Sequence, residues 1–301
     1  MNERILDHSS VNSIKVSLVN SFTLDGKGGN PAGVVLNSRH LSDTQKQNIA
    51  KTIGYSETAF VQQCNEERFD VTFYTPTSEV DFCGHATLAV FHTLLEKKVI
   101  KPGRYTQHTK AGIVPIQVAE SGLITMQQQC PEKLGRFNPI DVADLLSLDS
   151  DVIESTQLPC EVISTGLADL IVPVPFGYLD KVTSNSEKMA DFCEKNNIVG
   201  LHVFELTTNN NEKTASCRNF APLFGIEEES ATGSACGALT CYLAENIPSI
   251  SSEHYIFEQG RAMGCCSEIR AKLSHDSSGQ PKVLISGKAT NNGEKILSLD
   301  T

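Results

Sequence analysis

Ile14, Val16 and Leu18 alternate with polar neighbours, and this period of two predicts a strand over residues 13–23. A glycine-rich turn follows from Gly26 to Gly33, marked by the Asn30-Pro31 step, with a short strand behind it at Gly33 to Leu36. Ser42-x-x-Gln45 is a capping box, so a helix starts there; Ile49, Ala50 and Ile53 keep its period and Gly54 suits its end. Thr58 to Val61 and Phe69 to Tyr74 read as strands joined by a turn at Cys64 to Arg68. After a polar turn, Cys83-Gly84-His85 opens a helix of small and apolar residues, Ala86 to Leu95, ending near Lys97. Strands are expected at 104–108, 112–118 and 123–128, and a short helix at Asn138-Pro139, a cap and a first helical residue.

The second half repeats the style. Strands are predicted at 161–165, 168–174, 177–182, 201–207 and 214–220, with a turn at Asn209-Asn210-Asn211. A helix at 186–196 is expected to bury Met189, Phe192 and Cys193. Ala231-Thr232-Gly233-Ser234-Ala235 leads into a second apolar helix that runs to about Glu245 and stops before Pro248. Strands at 253–259, 263–272, 282–286 and 294–299 close the chain. Strands dominate, helices are few and βαβ alternation is irregular, so the fold class is α+β.

Two strand–loop–helix units, each with glycine opening the helix, suggest a duplicated fold with one site between its halves. The first N–H groups of a helix lack partners, and the dipole adds about half a positive charge there. Gly84 and Gly233 would let a ligand approach that backbone closely. Two such ends aimed at one cleft would hold a carboxylate without metal or arginine. The simpler alternative is that each glycine only permits tight helix packing.

Composition narrows the partners. The chain has 301 residues, 10 cysteines and no tryptophan, with a net charge of −11. Such length suits two domains. An acidic chain without a basic cluster is a poor partner for nucleic acid or anionic membrane, so an anionic substrate must be attracted locally. No apolar run approaches the ~20 residues that span a bilayer. Met1 to Ser10 lacks a signal-peptide core. The cysteines show no CxxC and no disulfide-like or metal-ligand spacing, which points to reduced thiols in a cytoplasm and to no metal. Gly26 to Gly33 mimics a dinucleotide fingerprint, but Pro31 stands where the third glycine belongs and a strand follows where a helix is needed.

Candidate chemistry is sparse. Glu57 directly precedes an apolar strand, where partial burial would raise its pKa; a surface loop glutamate is the ordinary alternative. Glu229 ends the run Glu227-Glu228-Glu229, and charge runs are usually solvated faces. Ser234 could hydrogen-bond within the first helical turn or touch a ligand, and His85 could serve as a helix cap or a catalytic group.

Five motifs in order carry a family resemblance: Gly29-Asn30-Pro31-Ala32, Ser56-Glu57-Thr58-Ala59-Phe60-Val61, Cys83-Gly84-His85-Ala86-Thr87, Arg218-Asn219-Phe220-Ala221-Pro222 and Ala231-Thr232-Gly233-Ser234-Ala235. In these the chain resembles the PhzF-like (phenazine biosynthesis) family, relatives of diaminopimelate epimerase, over nearly its whole length after about residue 13. The resemblance implies two similar domains, each a curled, mostly antiparallel sheet around a central helix, with the site in the cleft between them. The expected division is 1–129 plus 288–301 against 130–287, with the crossing between Gln128 and Phe137. It further implies no cofactor and a homodimer.

The resemblance also assigns roles. Glu57 matches the family's general acid/base, His85 the histidine of its Gly-His pair and Ser234 a substrate-binding serine; Asn30 is also expected to contact the substrate, and the N–H groups near Gly84, His85, Gly233 and Ser234 are expected to hold its carboxylate. Glu229, expected as a catalytic group that with His85 orients the substrate's amino or hydroxyl group and relays protons, stands where the family usually has Asp, and Ser230 where it usually has Pro. Cys265-Cys266 replaces a usual Arg-Pro. Cys83 fills one of the two thiol positions of the related epimerases, but Ala231 fills the other, so two-thiol proton exchange is not available and Cys83 and Cys236 read as small buried side chains. The expected function is a cofactor-independent isomerase that moves a proton at a C–H of a small anionic metabolite. The alternatives are an amino or hydroxy acid epimerase or racemase, and a silent small-molecule-binding protein.

Overall fold

The structure, a computed structural model, describes residues 13–207, 212–250 and 252–299. In the first half, β1 (Ser13–Ser21) pairs antiparallel with β2 (Asn30–Leu36). Helix α1 (Asp43–Ile53) carries the chain to β3 (Glu57–Gln63), parallel to β2, and β4 (Arg68–Tyr74) turns back beside it. The two-residue β5 (Glu79–Val80) precedes α2 (Gly84–Glu96), after which β6 (Gly103–Thr109) lies parallel to β4. Strands β7 (Gly112–Val118) and β8 (Ile124–Gln127) continue the sheet antiparallel.

The second half opens with β9 (Glu132–Phe137), α3 (Pro139–Ala143) and α4 (Ser150–Glu154), then repeats the plan. Strands β10 (Cys160–Ser164) and β11 (Ala168–Pro173) are antiparallel, and α5 (Ser186–Asn196) leads to β12 (Gly200–Leu206), parallel to β11. β13 (Ala215–Ala221) turns back, and the short β14 (Ile226–Glu229) precedes α6 (Gly233–Asn246). β15 (His254–Gln259) lies parallel to β13, and β16 (Ser267–His275) and β17 (Pro281–Gly287) follow antiparallel. Strand β18 (Ala289–Ser298) pairs with β1 as β9 pairs with β10, and β8 joins β17. The result is one continuous sheet of 18 strands whose two similar, mostly antiparallel halves, joined through β8 and β17, each curl round a central helix.

Sequence explains why those helices are central. Every residue of α2 from His85 to Phe91 is buried, and α6 is buried from Ala235 to Thr240. A helix apolar all round has no face for water and must be enclosed. One apolar cluster spans both, with Leu88 and Phe91 of α2, Leu239 and Tyr242 of α6, and Met126 and Ile285 from the joining strands. Phe91 is fully buried against Phe69 at 5.7 Å between ring centres; truncating it to Ala would cost about 3–5 kcal/mol.

Several local expectations hold in detail. Ser42 accepts from the Gln45 N–H while the Gln45 side chain accepts from the Ser42 N–H, and Gly54 ends α1 in the left-handed region at φ 74°. Helix α5 spans the predicted residues and buries Met189 and Cys193, while Phe192 is only partly buried, against Phe137. Others fail for identifiable reasons. Residues 177–182 form a turn and a short 3-10 helix, not a strand, because the Glu205 carboxylate takes the N–H groups of Gly177 and Leu179 that a neighbouring strand would have taken. The strand expected from 263 begins at Ser267, after a 3-10 turn at Arg261–Met263 between two left-handed glycines. Asn30-Pro31 already belongs to β2, and the segment read as a crossing between Gln128 and Phe137 contains β9, an exposed edge strand without an apolar face to announce it. The Asn209-Asn210-Asn211 turn lies outside the described residues.

Candidate active site

Four elements bring polar side chains to one place. Asn30 opens β2, Glu57 opens β3, His85 is the second residue of α2, and Glu229 ends β14. The starts of α2 and α6 approach each other across Met126. A Cβ placed on Gly84 would meet Met126 Cε at 3.4 Å, and one on Gly233 would meet the same atom at 3.7 Å. The glycines therefore serve packing and convergence together; Ile285 and Phe22 also crowd Gly233 at 3.3 Å. Cys83 Sγ caps the Ala86 N–H at 3.4 Å, and Gln259 Oε1 takes the Thr232 N–H at 3.0 Å. Among the described residues, the N–H groups of Gly84, His85, Gly233 and Ser234 meet no side-chain acceptor.

The imidazole of His85, 4% exposed, stands between two carboxylates. Its Nε2 lies 3.1 Å from Glu57 Oε2 and its Nδ1 lies 3.6 Å from Glu229 Oε1. Ser56 Oγ is 3.3 Å from Nε2, and Cys83 Sγ is 3.4 Å from Nδ1. The Glu57 contact is an ion pair, because Oε2 has no partner of good hydrogen-bond geometry among the described residues. The Glu57 and Glu229 side chains are 14% and 13% exposed, so both are largely withdrawn from water.

Asn30 fastens the two halves together. It is buried, and Nδ2 donates to Glu229 Oε1 at 2.8 Å and to the Ala231 carbonyl at 3.1 Å. Those bonds use both amide hydrogens, which leaves His85 Nδ1, 3.2 Å away, free to keep a proton of its own. Ser230, in place of the usual proline, adds a second tie by donating to the Gly29 carbonyl at 3.0 Å. A third is steric. Gly28, at φ 66°, lies so close to the loop of Cys265-Cys266 that a Cβ there would sit 2.0 Å from the Cys266 carbonyl oxygen.

Electrostatics separate the two acids. Burial pushes Glu57 up, but the charge of His85 3.1 Å away outweighs it, and the carboxyl sits below its ordinary value. This corrects the expectation of a raised Glu57, which considered burial and not the neighbouring cation. Burial disfavours the imidazolium of His85, yet the ionised Glu57 beside it holds it well above the ordinary histidine value, while Cys83, a neutral thiol near pH 7, lends no charge there. Glu229 is raised by burial and by the Glu57 charge, against the opposing pull of His85, Thr232 and Asn30. Burial and Glu57 push the Cys83 thiol up to about 11, so it keeps its proton at neutral pH. Two acids displaced in opposite directions around one imidazolium form an acid–base pair in waiting.

The remaining sequence candidates fall nearby. Of the glutamate run, only Glu227 is exposed; Glu228 makes a two-pronged pair with Arg218 at 2.7–2.8 Å, and Glu229 turns inward. Ser234 is half-buried on the first turn of α6, and its carbonyl accepts from Thr165 Oγ1 at 2.9 Å. Cys83 and Cys236 are buried as expected, but Cys83 also touches His85. Glu57, Cys83 and His85 offer an oxygen, a sulfur and a nitrogen within 4.8 Å of one another, a donor set able to hold a metal ion that no sequence spacing reveals. Sequence reasoning also missed Thr232 and Gln259, which surround Glu229. Thr232 precedes a helix-opening glycine, a weak capping signal; Gln259 lies in the stretch Phe257-Glu258-Gln259-Gly260 that also resembles the family, but its residue type alone announces no role.

The fold and these motifs agree with three comparisons. The family profile described as phenazine biosynthesis-like protein matches residues 19–294. An uncharacterized isomerase of Clostridium acetobutylicum is 31% identical over 90% of this chain and 93% of its own, and the uncharacterized isomerase YfhB of Bacillus subtilis is 30% identical over 93% and 97%. The crystal structure of a PhzF-family phenazine biosynthesis protein of Bacillus anthracis superposes with a TM-score of 0.87 at 28% identity, covering 95% of this chain and 99% of that one. A probable proline racemase of Agrobacterium radiobacter shares the fold at 9% identity and a TM-score of 0.65. The chain thus belongs to the PhzF-like, phenazine biosynthesis-like family, on a fold shared with racemases and isomerases.

Proposed function

We propose that this protein is an isomerase that moves a proton at a C–H position of a small carboxylate-bearing metabolite. The observation that carries the reading is the Glu57–His85–Glu229 array, set beside two helix N-termini. Glu57, ionised and largely dehydrated, is the group to remove a weakly acidic C–H proton. The negative charge that develops on the substrate would be met by the N–H groups of Gly84, His85, Gly233 and Ser234, fixed before the reaction starts. The same helix ends would hold the substrate carboxylate. The His85 imidazolium lies between the acids and can pass a proton from the Glu57 side to the Glu229 side. Base, acid and charge stabilisation all come from the chain, so the proposal needs no cofactor. All ten cysteines are free, which agrees with a reducing compartment.

One observation favours a second reading. Glu229 comes from the opposite half of the molecule to Glu57, so a proton taken on one face could return on the other, which would be epimerisation. A panel of small amino, hydroxy and unsaturated carboxylates incubated in D₂O distinguishes the two. Migration leaves deuterium at a new carbon; epimerisation inverts the original one.

The test of the shared claim is Glu57→Gln, which keeps shape and removes the base. Deuterium uptake into whichever panel member exchanges should fall by about 10²–10⁴-fold. Uptake equal to the parent's would remove Glu57 from the mechanism.

A further inference from the structure

The likeness of the two halves gives the cleft two flanks, one on each side of the helix entries, and they are built unequally. On the first flank the turn 22–29 between β1 and β2 meets the turn between β15 and β16. This flank is sealed. Gly28 abuts the Cys266 carbonyl, Ser230 donates to the Gly29 carbonyl, and Asn30 donates to Glu229 and to the Ala231 carbonyl. On the second flank the halves exchange parts: the turn between β10 and β11 comes from the second half, and the hairpin between β6 and β7 from the first. Here the turn is 165–167, three residues in place of eight. It does not reach the hairpin, and a cavity of about 230 Å³ lies between them.

The cavity lies beside both helix entries. Phe82, in its wall, directly precedes Cys83, the residue that caps α2. Thr165, also in its wall, donates to the Ser234 carbonyl in the first turn of α6 at 2.9 Å. Gln128 lines it too, with its stem packed on α6: a Cβ on Gly237 would meet Gln128 Cγ at 3.4 Å and Thr165 Oγ1 at 3.1 Å. Val114 and the exposed Ile113 stand on the hairpin side.

Two features define what fits. Among the described residues no charged side chain lines the cavity, so an ammonium or a second carboxylate entering it would lose water without gaining a counter-ion. The side-chain amide of Gln128, a residue only 8% exposed, makes no hydrogen bond among the described residues. Buried amides are ordinarily paired, so this one is a donor and an acceptor held ready for an uncharged polar group.

We infer that this cavity is the arm of the cleft that receives the part of the substrate beyond its reacting carbon, and that this part is an uncharged apolar chain or ring bearing at most a hydroxyl, carbonyl or amide group. This names the substrate class of the isomerase site and rests on the reading that the substrate carboxylate sits at the helix entries.

The test uses inert carboxylates and no turnover, so the two claims can fail separately. The full chain labelled with ¹⁵N is titrated with acetate, butyrate, hexanoate, adipate and adipamate, and the backbone amide signals are followed. Acetate should move the Gly84 and Gly233 signals and leave those of Ile113, Val114 and Gly166. Butyrate and hexanoate should move all five, and Kd should fall about two- to fourfold per added methylene as carbon leaves water. Adipate, with a second carboxylate at the far end, should bind about tenfold more weakly than hexanoate. Adipamate, whose far end is a neutral amide, should bind more tightly than adipate. Ile113→Lys, a change at an exposed position, should reverse the order of hexanoate and adipate by placing a cation beside the far carboxylate. If acetate moves Gly84 and Gly233 but hexanoate binds no tighter, or adipate binds as well as hexanoate, the inference falls and the isomerase reading stands. Gains with chain length that leave Ile113, Val114 and Gly166 unmoved, or an order unchanged in Ile113→Lys, would place the tail elsewhere and overturn the inference as well. If no carboxylate moves Gly84 or Gly233, the reading of the helix entries falls and takes the inference with it.

Discussion

Asn30→Leu keeps volume and removes both bonds that cross from β2 to the second half. The bond to the Glu229 carboxylate is worth about 1.5–3 kcal/mol, being charge-assisted. The Ala231 carbonyl, left without its donor in a fully buried residue, costs about a further 1–3 kcal/mol. The expected loss is thus about 3–5 kcal/mol, a large part of the ~5–15 kcal/mol that holds an ordinary domain together. Equilibrium unfolding in guanidinium chloride measures it. Combining the change with Glu229→Gln in a double-mutant cycle isolates the pair, and a coupling of about 1–3 kcal/mol is expected for residues in direct contact. A loss under about 1 kcal/mol, or strict additivity, would show that Asn30 does not tie the halves and that its amide is free for other work.

Asp169, fully enclosed, has its carboxyl pushed up to about 7 from 3.8, chiefly by burial. The folded state holds that proton more tightly than the unfolded chain, so stability is lost as pH rises from about 4 to about 7 and then levels off. Asp169→Asn removes the slope and should exceed the parent at pH 8, by at most about 4 kcal/mol, in urea unfolding run from pH 5 to pH 8; parallel curves would contradict it. Gly28→Ala sets a Cβ 2.0 Å from the Cys266 carbonyl oxygen at a left-handed φ, and should cost about 2–4 kcal/mol, seen as a Tm several degrees lower. An unchanged Tm would mean that the Cys265-Cys266 loop is not held against this turn.

What the sequence revealed depends on how local the cause is. The capping box at Ser42 and the left-handed Gly54 are decided by neighbours in the chain, and both were legible. So were α2 and α6, because unbroken apolar runs leave a helix no exposed face. Strand β9 was not, since an edge strand with charged, exposed residues carries no period of two. The turn at 177–182 was misread because its N–H groups are satisfied by Glu205, 26–28 residues away. The site divides in the same way. The motifs placed Glu57 and His85, but the direction in which Glu57 shifts depends on a cation 28 positions on in the chain that folding brings to 3.1 Å. The motif position named Glu229 as a catalytic candidate, but its place in a glutamate run read equally as a solvated face; in the fold Arg218 pairs with its neighbour Glu228 and Glu229 turns inward.

The question underlying the proposed chemistry is whether a carboxylate sits where the two helices begin. A diffraction structure of Glu57→Gln soaked in a small carboxylate such as acetate answers it. The carboxylate oxygens are expected within hydrogen-bond distance of the N–H groups of Gly84 or His85 and of Gly233 or Ser234, with its methyl carbon facing residue 57. Acetate bound elsewhere at saturating concentration, with those N–H groups solvated by water alone, would contradict the site.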